Sequence, residues 1–215
     1  MIAKEELDRA FDARFPKEIR DKLRNARVAV AGLGGLGSNI AIMLARSGVG
    51  HLLLVDFDRV DTTNLNRQAY RISHLGQYKT DAIRDILAEI NPYLDVQTLR
   101  IQVTADNAAG IFSGWPIVCE AFDRAENKAM LVSALLEQCP GTDIVSGNGM
   151  AGCGCCNAIR TRQKLRHLYV CGDGISGTGS LGLMAPRVAV CAGHQANQVL
   201  RLILNLKDEN AAPQF

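Results

Sequence analysis

Three features that mark specialised classes of protein are missing from this 215-residue sequence: a long apolar run, an excess of charge of one sign and a set of two Cys-x-x-Cys pairs. No apolar run approaches the roughly 20 residues that a membrane-spanning helix needs. The segment from Met1 to Asp8 is rich in acidic side chains and lacks the apolar stretch of a signal peptide. We therefore expect a cytoplasmic protein without a membrane partner.

The charge is nearly balanced, with 24 lysines and arginines against 22 aspartates and glutamates and a formal net charge of +2. Proteins that bind nucleic acid usually carry a basic face or stripe. The balance therefore predicts no nucleic-acid partner. Hydrophobic residues make up 47% of the chain and charged residues 21%, which is typical of an ordinary globular protein.

Short apolar runs alternate with segments of helical periodicity along most of the chain. We predict strands at 27–31, 52–55, 95–101, 116–120 and 143–146, with helices at 38–47, 79–90, 105–112 and 125–138. Such alternation gives right-handed βαβ crossovers, and therefore a Rossmann-like α/β fold whose mainly parallel sheet has helices on both faces.

The two ends of the chain differ from this alternating pattern. Residues 1–25 are charged and helix-prone, which predicts a helical arm before a single α/β domain over 26–215. Segments 158–162 and 168–171 are expected to form a short antiparallel extension of the sheet. A glycine-rich loop and a closing helix at about 190–206 complete the predicted domain.

A glycine-rich turn joins the first predicted strand to the first helix of the domain. It reads Gly32-Leu33-Gly34-Gly35-Leu36-Gly37, and Asp56 closes the next strand. Glycines allow a backbone to approach phosphate oxygens, the helix N-terminus offers N–H groups, and such an aspartate can accept a ribose hydroxyl. The motif predicts a nucleotide site but not the reaction, because it suits a nicotinamide dehydrogenase as well as an ATP-using enzyme.

The run Asp56-Phe57-Asp58-Arg59-Val60-Asp61-Thr62-Thr63-Asn64-Leu65-Asn66-Arg67-Gln68, followed by Lys79, is more specific. With the glycine turn it resembles the ThiF/MoeB family of ubiquitin-activating-like adenylyltransferases. The resemblance covers most of residues 27–130 and returns at Met184-Ala185-Pro186-Arg187-Val188. The length of the chain and the sequence from Asn64 to Gln68 resemble those of the compact ThiF-like branch of the family, which belongs to thiamine biosynthesis.

The resemblance implies that the protein binds ATP and Mg²⁺ and adenylates the C-terminal Gly-Gly carboxylate of a small ubiquitin-like sulfur carrier, such as ThiS. It implies that Arg67 and Lys79 grip the phosphates, that Asn64 supports them and that Asp56 takes the ribose. Asp123, at the end of a predicted strand, matches the magnesium-associated aspartate of the family. The nucleotide-binding set that the resemblance implies is Gly32, Gly34, Gly35, Gly37, Asp56, Asp58, Asn64, Arg67, Gln68 and Lys79.

The resemblance also implies a homodimer, because family members complete each site with an arginine from the N-terminal arm of the partner. Arg14 and Arg9 are the candidates in this sequence, and Arg14 is preferred.

Two other functions stay open at this point. An NAD-dependent oxidoreductase is permitted by the glycine turn, but it gives the run from Asn64 to Gln68 no role and lacks an obvious catalytic pair. A non-catalytic nucleotide-binding Rossmann module is the other alternative. The joint presence of Asp123, Arg67 and Lys79 argues against it.

The seven cysteines favour reduced thiols, metal ligands or a catalytic thiol over disulfides. Many relatives bind structural zinc with two Cys-x-x-Cys pairs, which this sequence lacks. Cys153, Cys155 and Cys156 lie close together, but adjacent cysteines suit one tetrahedral ion poorly, so we expect no structural zinc. Cys171, beside Gly172, is the thiol whose position best suits sulfur transfer or a covalent link to the carrier.

Overall fold

The computed structural model describes residues 2–177, 179 and 181–206. Its helices are α1 (Lys4–Asp12), α2 (Lys17–Asn25), α3 (Gly35–Arg46), α4 (Lys79–Ile90), α5 (Ala105–Phe112), α6 (Ala125–Gln138) and α7 (Ala185–Ile203). Its strands are β1 (Arg27–Ala31), β2 (His51–Val55), β3 (Asp95–Leu99), β4 (Ile117–Glu120), β5 (Asp143–Gly147), β6 (Arg160–Leu165) and β7 (Leu168–Gly172). None of the helices in these described ranges is long and apolar enough to cross a membrane.

The seven strands form one sheet in the order β3-β2-β1-β4-β5-β7-β6. All neighbours are parallel except β6 and β7, which form an antiparallel pair at one edge. The structure therefore confirms the predicted Rossmann-like sheet and its antiparallel extension. The extension joins the sheet through β7, which pairs in parallel with β5.

Helices cover both faces of the sheet because alternate side chains of each central strand point to opposite faces. Val28 and Val30 of β1 pack on the side of α3, α4 and α7, whereas Ala29 and Ala31 pack on the side of α5 and α6. Both layers are largely apolar. Such strands are buried on both faces, which explains why they read as continuous apolar runs in the sequence.

Several predicted boundaries are wrong. The first helix of the domain begins at Gly35 rather than at 38, because the last glycines of the turn already have helical geometry. The closing helix begins at Ala185, five residues earlier than predicted, and Pro186 lies in its first turn, where a missing N–H is tolerated. It ends at Ile203, and residues 207–215 of the predicted domain lie outside the described residues. The arm contains two helices, with Pro16 at the N-cap of the second.

Candidate active site

A cavity of about 560 Å³ opens at the carboxyl ends of β1, β2, β4 and β5. The strand order reverses between β1 and β4, and open α/β sheets bind ligands at such a switch point. The volume lies within the range of small-molecule sites. Among the predicted site residues, the cavity wall contains Gly32, Gly34, Gly35, Asp56, Asp58, Arg67, Gln68, Lys79 and Asp123.

The glycine turn supplies the floor of the cavity. Gly32 has a positive φ of 89°, and a Cβ at Gly37 would overlap the carbonyl oxygen of Gly32. These two glycines are therefore required by the turn itself. At Gly34 a Cβ would meet only the Gln68 side chain, 4.0 Å away, so the space above this glycine is open to a ligand. Helix α3 starts at Gly35, and its first N–H groups have no acceptor within the helix.

Asp56 is almost fully buried at the end of β2, with 8% of its surface exposed. Its two carboxylate oxygens accept hydrogen bonds from the N–H groups of Leu33 at 2.6 Å and Asp58 at 2.8 Å. Burial raises the pKa of Asp56, while the nearby Lys79 and the two N–H donors oppose that rise. Each oxygen retains acceptor capacity, so the carboxylate can take a further hydroxyl donor from the cavity.

Lys79 begins α4 and turns a nearly buried side chain into the cavity wall. Its Nζ lies 2.8 Å from Asp58 Oδ2, and its N–H donates to the Asp58 carbonyl at 2.9 Å. Asp58 therefore holds Lys79 through both backbone and side chain. The sequence placed both residues in the nucleotide site, and the structure adds that they form an ion pair with each other.

The segment after β2 presents Arg67 to the cavity. The Arg67 guanidinium donates to the Thr63 carbonyl at 3.1 Å and to Asn66 Oδ1 at 2.8 Å. No carboxylate of the described residues pairs with it, which leaves its charge available to an anion. Next to it, Gln68 lines the cavity with a buried Oε1 that has no hydrogen-bond partner in the described part of the chain.

Asn64, by contrast, is outside the cavity wall of the described residues. Its Oδ1 accepts from the Asp61 N–H at 3.2 Å and caps the 3₁₀ turn Thr62–Asn64. Its carbonyl accepts from the N–H groups of Arg67 and Gln68. Asn64 therefore shapes the turn that carries Arg67.

Asp123 lies in the loop between β4 and α6, with its exposed side chain at the cavity. It forms no hydrogen bond or ion pair within the described residues. No group of three or more His, Cys, Asp or Glu placed to hold a metal occurs in that part of the chain. Mg²⁺ is usually held by one or two carboxylates together with substrate phosphates, so a free carboxylate here fits an ion that arrives with a nucleotide.

A buried polar network below Asp123 was not predicted from the sequence. Glu120, the last residue of β4, is fully buried and lies 3.0 Å from Lys128 Nζ. Ser146 Oγ donates to the same carboxylate at 2.5 Å, and Lys128 also lines the cavity. The available signal was a glutamate that ends an otherwise apolar strand.

A second buried ion pair anchors the glycine-rich loop before α7. Arg187 Nη2 lies 2.5 Å from Asp173 Oδ2, and both side chains are about 95% buried. Desolvation opposes ionisation of Asp173, but hydrogen bonds from Ser176, the Ile175 N–H and Arg187 outweigh it and lower the pKa of this carboxyl well below its usual range. Ser176 and the following Gly177 line the cavity, so the ion pair fixes one of its walls.

Arg14 is remote from the cavity of its own chain. It lies between α1 and α2, and its neighbours Phe11 and Phe15 line a second cavity of about 200 Å³. That cavity also contains His51 and Asp95, which begin β2 and β3. Arg14 therefore lies near the amino end of the sheet, whereas the larger cavity is at the carboxyl end.

Cys171 is a poor candidate for sulfur chemistry, contrary to its assignment from the sequence. It is fully buried, and burial raises its pKa to about 11. Cys119 and Cys191 are buried beside it, and burial raises the pKa of Cys191 to about 12. Thiols with such pKa values stay protonated at neutral pH, whereas the nucleophile is the thiolate. The exposed thiols belong to Cys153, Cys155 and Cys156.

A family model described as ThiF family matches residues 7–215 of the chain. The molybdopterin-synthase adenylyltransferase of Salmonella typhimurium is 31% identical over 195 residues, covering 88% of this chain and 77% of the relative. The tRNA threonylcarbamoyladenosine dehydratase of Bacillus subtilis is 42% identical over 124 residues, covering 57% of this chain and 49% of the relative. Other curated relatives are longer, and the chain spans 26% and 29% of the length of two of them.

The fold also has close counterparts among solved structures. The structure of E. coli tRNA N6-threonylcarbamoyladenosine dehydratase, TcdA, in complex with AMP superposes with a TM-score of 0.84. The sequence identity is 22%, and the match covers 95% of this chain and 98% of that chain. The same α/β architecture is therefore shared over nearly the whole length of both chains.

Proposed function

The chain belongs to the ThiF family, as the resemblance predicted, and from this premise we propose that it is an ATP-dependent adenylyltransferase. The proposed substrate is the C-terminal Gly-Gly carboxylate of a small ubiquitin-like sulfur carrier of the ThiS type, in thiamine biosynthesis. One observation carries the proposal. A single cavity combines an open glycine turn at a helix start with the cation of Arg67 and the carboxylate of Asp123, neither of which has an ionic partner among the described residues.

The chemistry requires few protein groups. A carboxylate oxygen of the carrier attacks the α-phosphorus of ATP, and the bond between that phosphorus and the bridging oxygen to the β-phosphate breaks. Pyrophosphate leaves with the electron pair, and an acyl-adenylate remains. No general base is needed, because a carboxylate is already ionised at neutral pH. The protein must instead neutralise the phosphate charge and hold two anions in line.

The proposed contacts follow from the cavity wall. The N–H groups at the start of α3, with Gly34 open above them, would receive phosphate oxygens, and Asp56 would accept a ribose hydroxyl. Arg67 and Lys79, which line the same cavity, would bring positive charge to the triphosphate. Mg²⁺ held by Asp123 and the phosphates would neutralise part of the charge that accumulates there.

A second candidate substrate is a tRNA that carries threonylcarbamoyladenosine. It is favoured by the 42% identity to the Bacillus subtilis tRNA threonylcarbamoyladenosine dehydratase over 124 residues. Arg124, an exposed cation beside Asp123 at the cavity, would be available to either substrate.

Exchange of labelled pyrophosphate into ATP is the test of the proposed function. We expect exchange with Mg²⁺ and a ThiS-type carrier, and none with a carrier that lacks its terminal glycine, because the carboxylate is then misplaced. Calorimetric titration with NAD is the parallel measurement, and NAD binding tighter than that of ATP would contradict adenylation. Turnover that requires modified tRNA and not a carrier protein would contradict the carrier as substrate and support the tRNA instead.

We also propose that the enzyme works as a homodimer in which Arg14 of one protomer completes the site of the other. The position of Arg14 near the amino end of the sheet supports this, because it is remote from its own cavity. Co-expression of Arg14→Ala and Arg67→Ala chains is expected to restore about a quarter of the wild-type exchange rate, since half of randomly assorted two-fold dimers are mixed and each has one complete site. A mixture no more active than the average of the two separate variants, or a monomer in light scattering with full activity, would refute the shared site.

A further inference from the structure

Glu120 is a fully buried carboxylate in which both oxygens are engaged. Its Oε1 accepts from the Phe122 N–H at 2.7 Å, its Oε2 accepts from Ser146 Oγ at 2.5 Å, and Lys128 Nζ lies within 3.1 Å of both. A buried charge is unfavourable unless it is paired and hydrogen-bonded, and replacement of such a pair by apolar side chains is often neutral or stabilising. Stability alone therefore gives no sufficient reason for this network at the edge of the cavity.

The network encloses one short segment of chain. Glu120 ends β4 and Lys128 is the fourth residue of α6, so their ion pair closes a short segment that contains Asp123, whose side chain is exposed. The Phe122 N–H that binds Glu120 belongs to the residue directly before Asp123. On the other side, a Cβ at Gly32 would lie 3.0 Å from the Ala121 carbonyl, so the segment also packs against the glycine turn.

The sheet holds the base of this segment in place. Glu120 pairs with Ser146 in the β4–β5 register, and the Gln195 side chain of α7 donates to the Glu120 carbonyl at 3.1 Å. Asp123 itself has no partner within the described residues. The free carboxylate is thus carried by a backbone that is fixed on both sides.

We infer that Glu120 and Lys128 are positioning residues that orient the Asp123 carboxylate toward the magnesium ion of bound ATP. The inference rests on the proposed function. A metal ligand works only in the correct direction, and partners that orient such ligands typically change metal affinity by about 10–100-fold when they are removed. Glu120 and Lys128 act through the backbone of the loop and need not contact the nucleotide.

The test is the magnesium concentration that gives half-maximal strengthening of ATP binding, measured by calorimetry. In the double variant Glu120→Gln/Lys128→Met, which leaves no uncompensated charge, we expect this concentration to rise about 10–100-fold. ATP binding in EDTA should stay within about 3-fold, because the glycine turn and Asp56 are untouched. Lys128→Arg, which keeps the ion pair, should return the magnesium requirement to near the wild-type value.

The matched control removes another side-chain hydrogen bond, which joins two segments of the same sheet. His167 Nδ1 lies 2.9 Å from Asp143 Oδ1 at the amino end of β5, away from the cavity. Asp143→Asn/His167→Gln should leave the magnesium requirement unchanged. Should the double variant fail to fold by circular dichroism, Ser146→Ala removes one hydrogen bond to Glu120 and should shift the requirement in the same direction.

The outcomes separate this inference from the proposed function. A wild-type magnesium requirement in the Glu120 and Ser146 variants, together with a raised one in Asp123→Asn, would show that the network only stabilises the fold. An unchanged requirement in Asp123→Asn would remove the metal role of Asp123 and this inference with it. A wild-type protein that binds no ATP would overturn the proposed function, and the inference would fall for that reason instead.

Discussion

Replacement of Arg67 by alanine is expected to slow pyrophosphate exchange by about 10²–10³-fold at saturating ATP and carrier, the usual effect of removing one preorganised charge from a developing anion. The physical reason is that the Arg67 guanidinium is at the cavity without a carboxylate partner among the described residues. Its hydrogen bonds go to the Thr63 carbonyl and the Asn66 amide, which orient it without neutralising it. The whole charge is therefore available to phosphate.

Arg71 provides the matched control, because it belongs to the same segment but lies on the surface. Its guanidinium pairs with Glu89 at 2.9 Å, and both side chains are more than 60% exposed. Arg71→Ala should leave the exchange rate within about 2-fold and stability within about 0.5 kcal/mol, as is usual for surface substitutions. Near-wild-type exchange in Arg67→Ala, with the fold intact by circular dichroism, would mean that the active site has been assigned wrongly.

Asp123→Asn should separate binding from chemistry. The variant keeps the size of the side chain but loses the charge that fits Mg²⁺, while the glycine turn and Asp56 still hold the nucleotide. We therefore expect exchange to be abolished and ATP binding in EDTA to persist. Arg67→Ala should weaken both, because its charge faces the phosphates whether or not metal is present.

The architecture of the sheet could be predicted because it depends on local pattern. The apolar runs of β1 and β2 are long enough for strands, the helices between them have clear periodicity, and parallel crossovers have one allowed hand. The first residues of the helices were harder to predict. Gly35 has a low helix propensity, but the position of the turn places it in α3. Proline is unfavourable inside a helix but tolerated in the first turn, where Pro186 lies in α7.

The site was predicted as a set of residues but not as a set of pairs. The motif indicated both Asp58 and Lys79, yet their ion pair joins positions 21 residues apart and depends on the way α4 returns to β2. The contact of Glu120 with Ser146 depends on the register of β4 and β5. Such pairs follow from the tertiary structure, and no local spacing in the chain encodes them.

The burial of Cys171 was also not predictable from the local sequence. Cys171 follows three residues of a strand and precedes a glycine, which placed it next to a loop and favoured a role in sulfur transfer. The structure buries it between the sheet and α7, where Cys191 Sγ lies 3.3 Å from its carbonyl oxygen. The face of a strand that a side chain occupies decides its reactivity, and that face was not fixed by the local sequence.

Arg187→Met is expected to lower the free energy of unfolding by about 3 kcal/mol, the lower end of the usual effect of removing one partner from a buried ion pair. The Asp173 carboxylate would remain buried without its cation. The loss should stay at the lower end because Ser176 and the Ile175 N–H continue to donate to Asp173. Urea denaturation followed by circular dichroism measures the change.

The exposed pair of Arg71 and Glu89 again supplies the comparison. Arg71→Met removes a similar guanidinium from a carboxylate in solvent, where an ion pair contributes about 0–1 kcal/mol. Equal losses for Arg71→Met and Arg187→Met would contradict a buried role for the pair of Asp173 and Arg187. A double variant, Asp173→Asn/Arg187→Met, should recover part of the loss, because it leaves no uncompensated charge.

The pH dependence of the same pair follows from the lowered pKa of Asp173. A carboxyl whose pKa is lower in the folded than in the unfolded protein stabilises the fold above its unfolded pKa, about 3.9 for aspartate, and this stabilisation is lost as the pH falls toward the folded value. The difference in free energy of unfolding between the wild type and Asp173→Asn should therefore be constant from about pH 5 to pH 7 and shrink steadily below about pH 4. A difference that grew on acidification would mean that Asp173 is protonated in the folded protein. In that case the ion pair of Asp173 and Arg187 would not hold the glycine-rich loop, which contains Ser176 and Gly177, against the cavity.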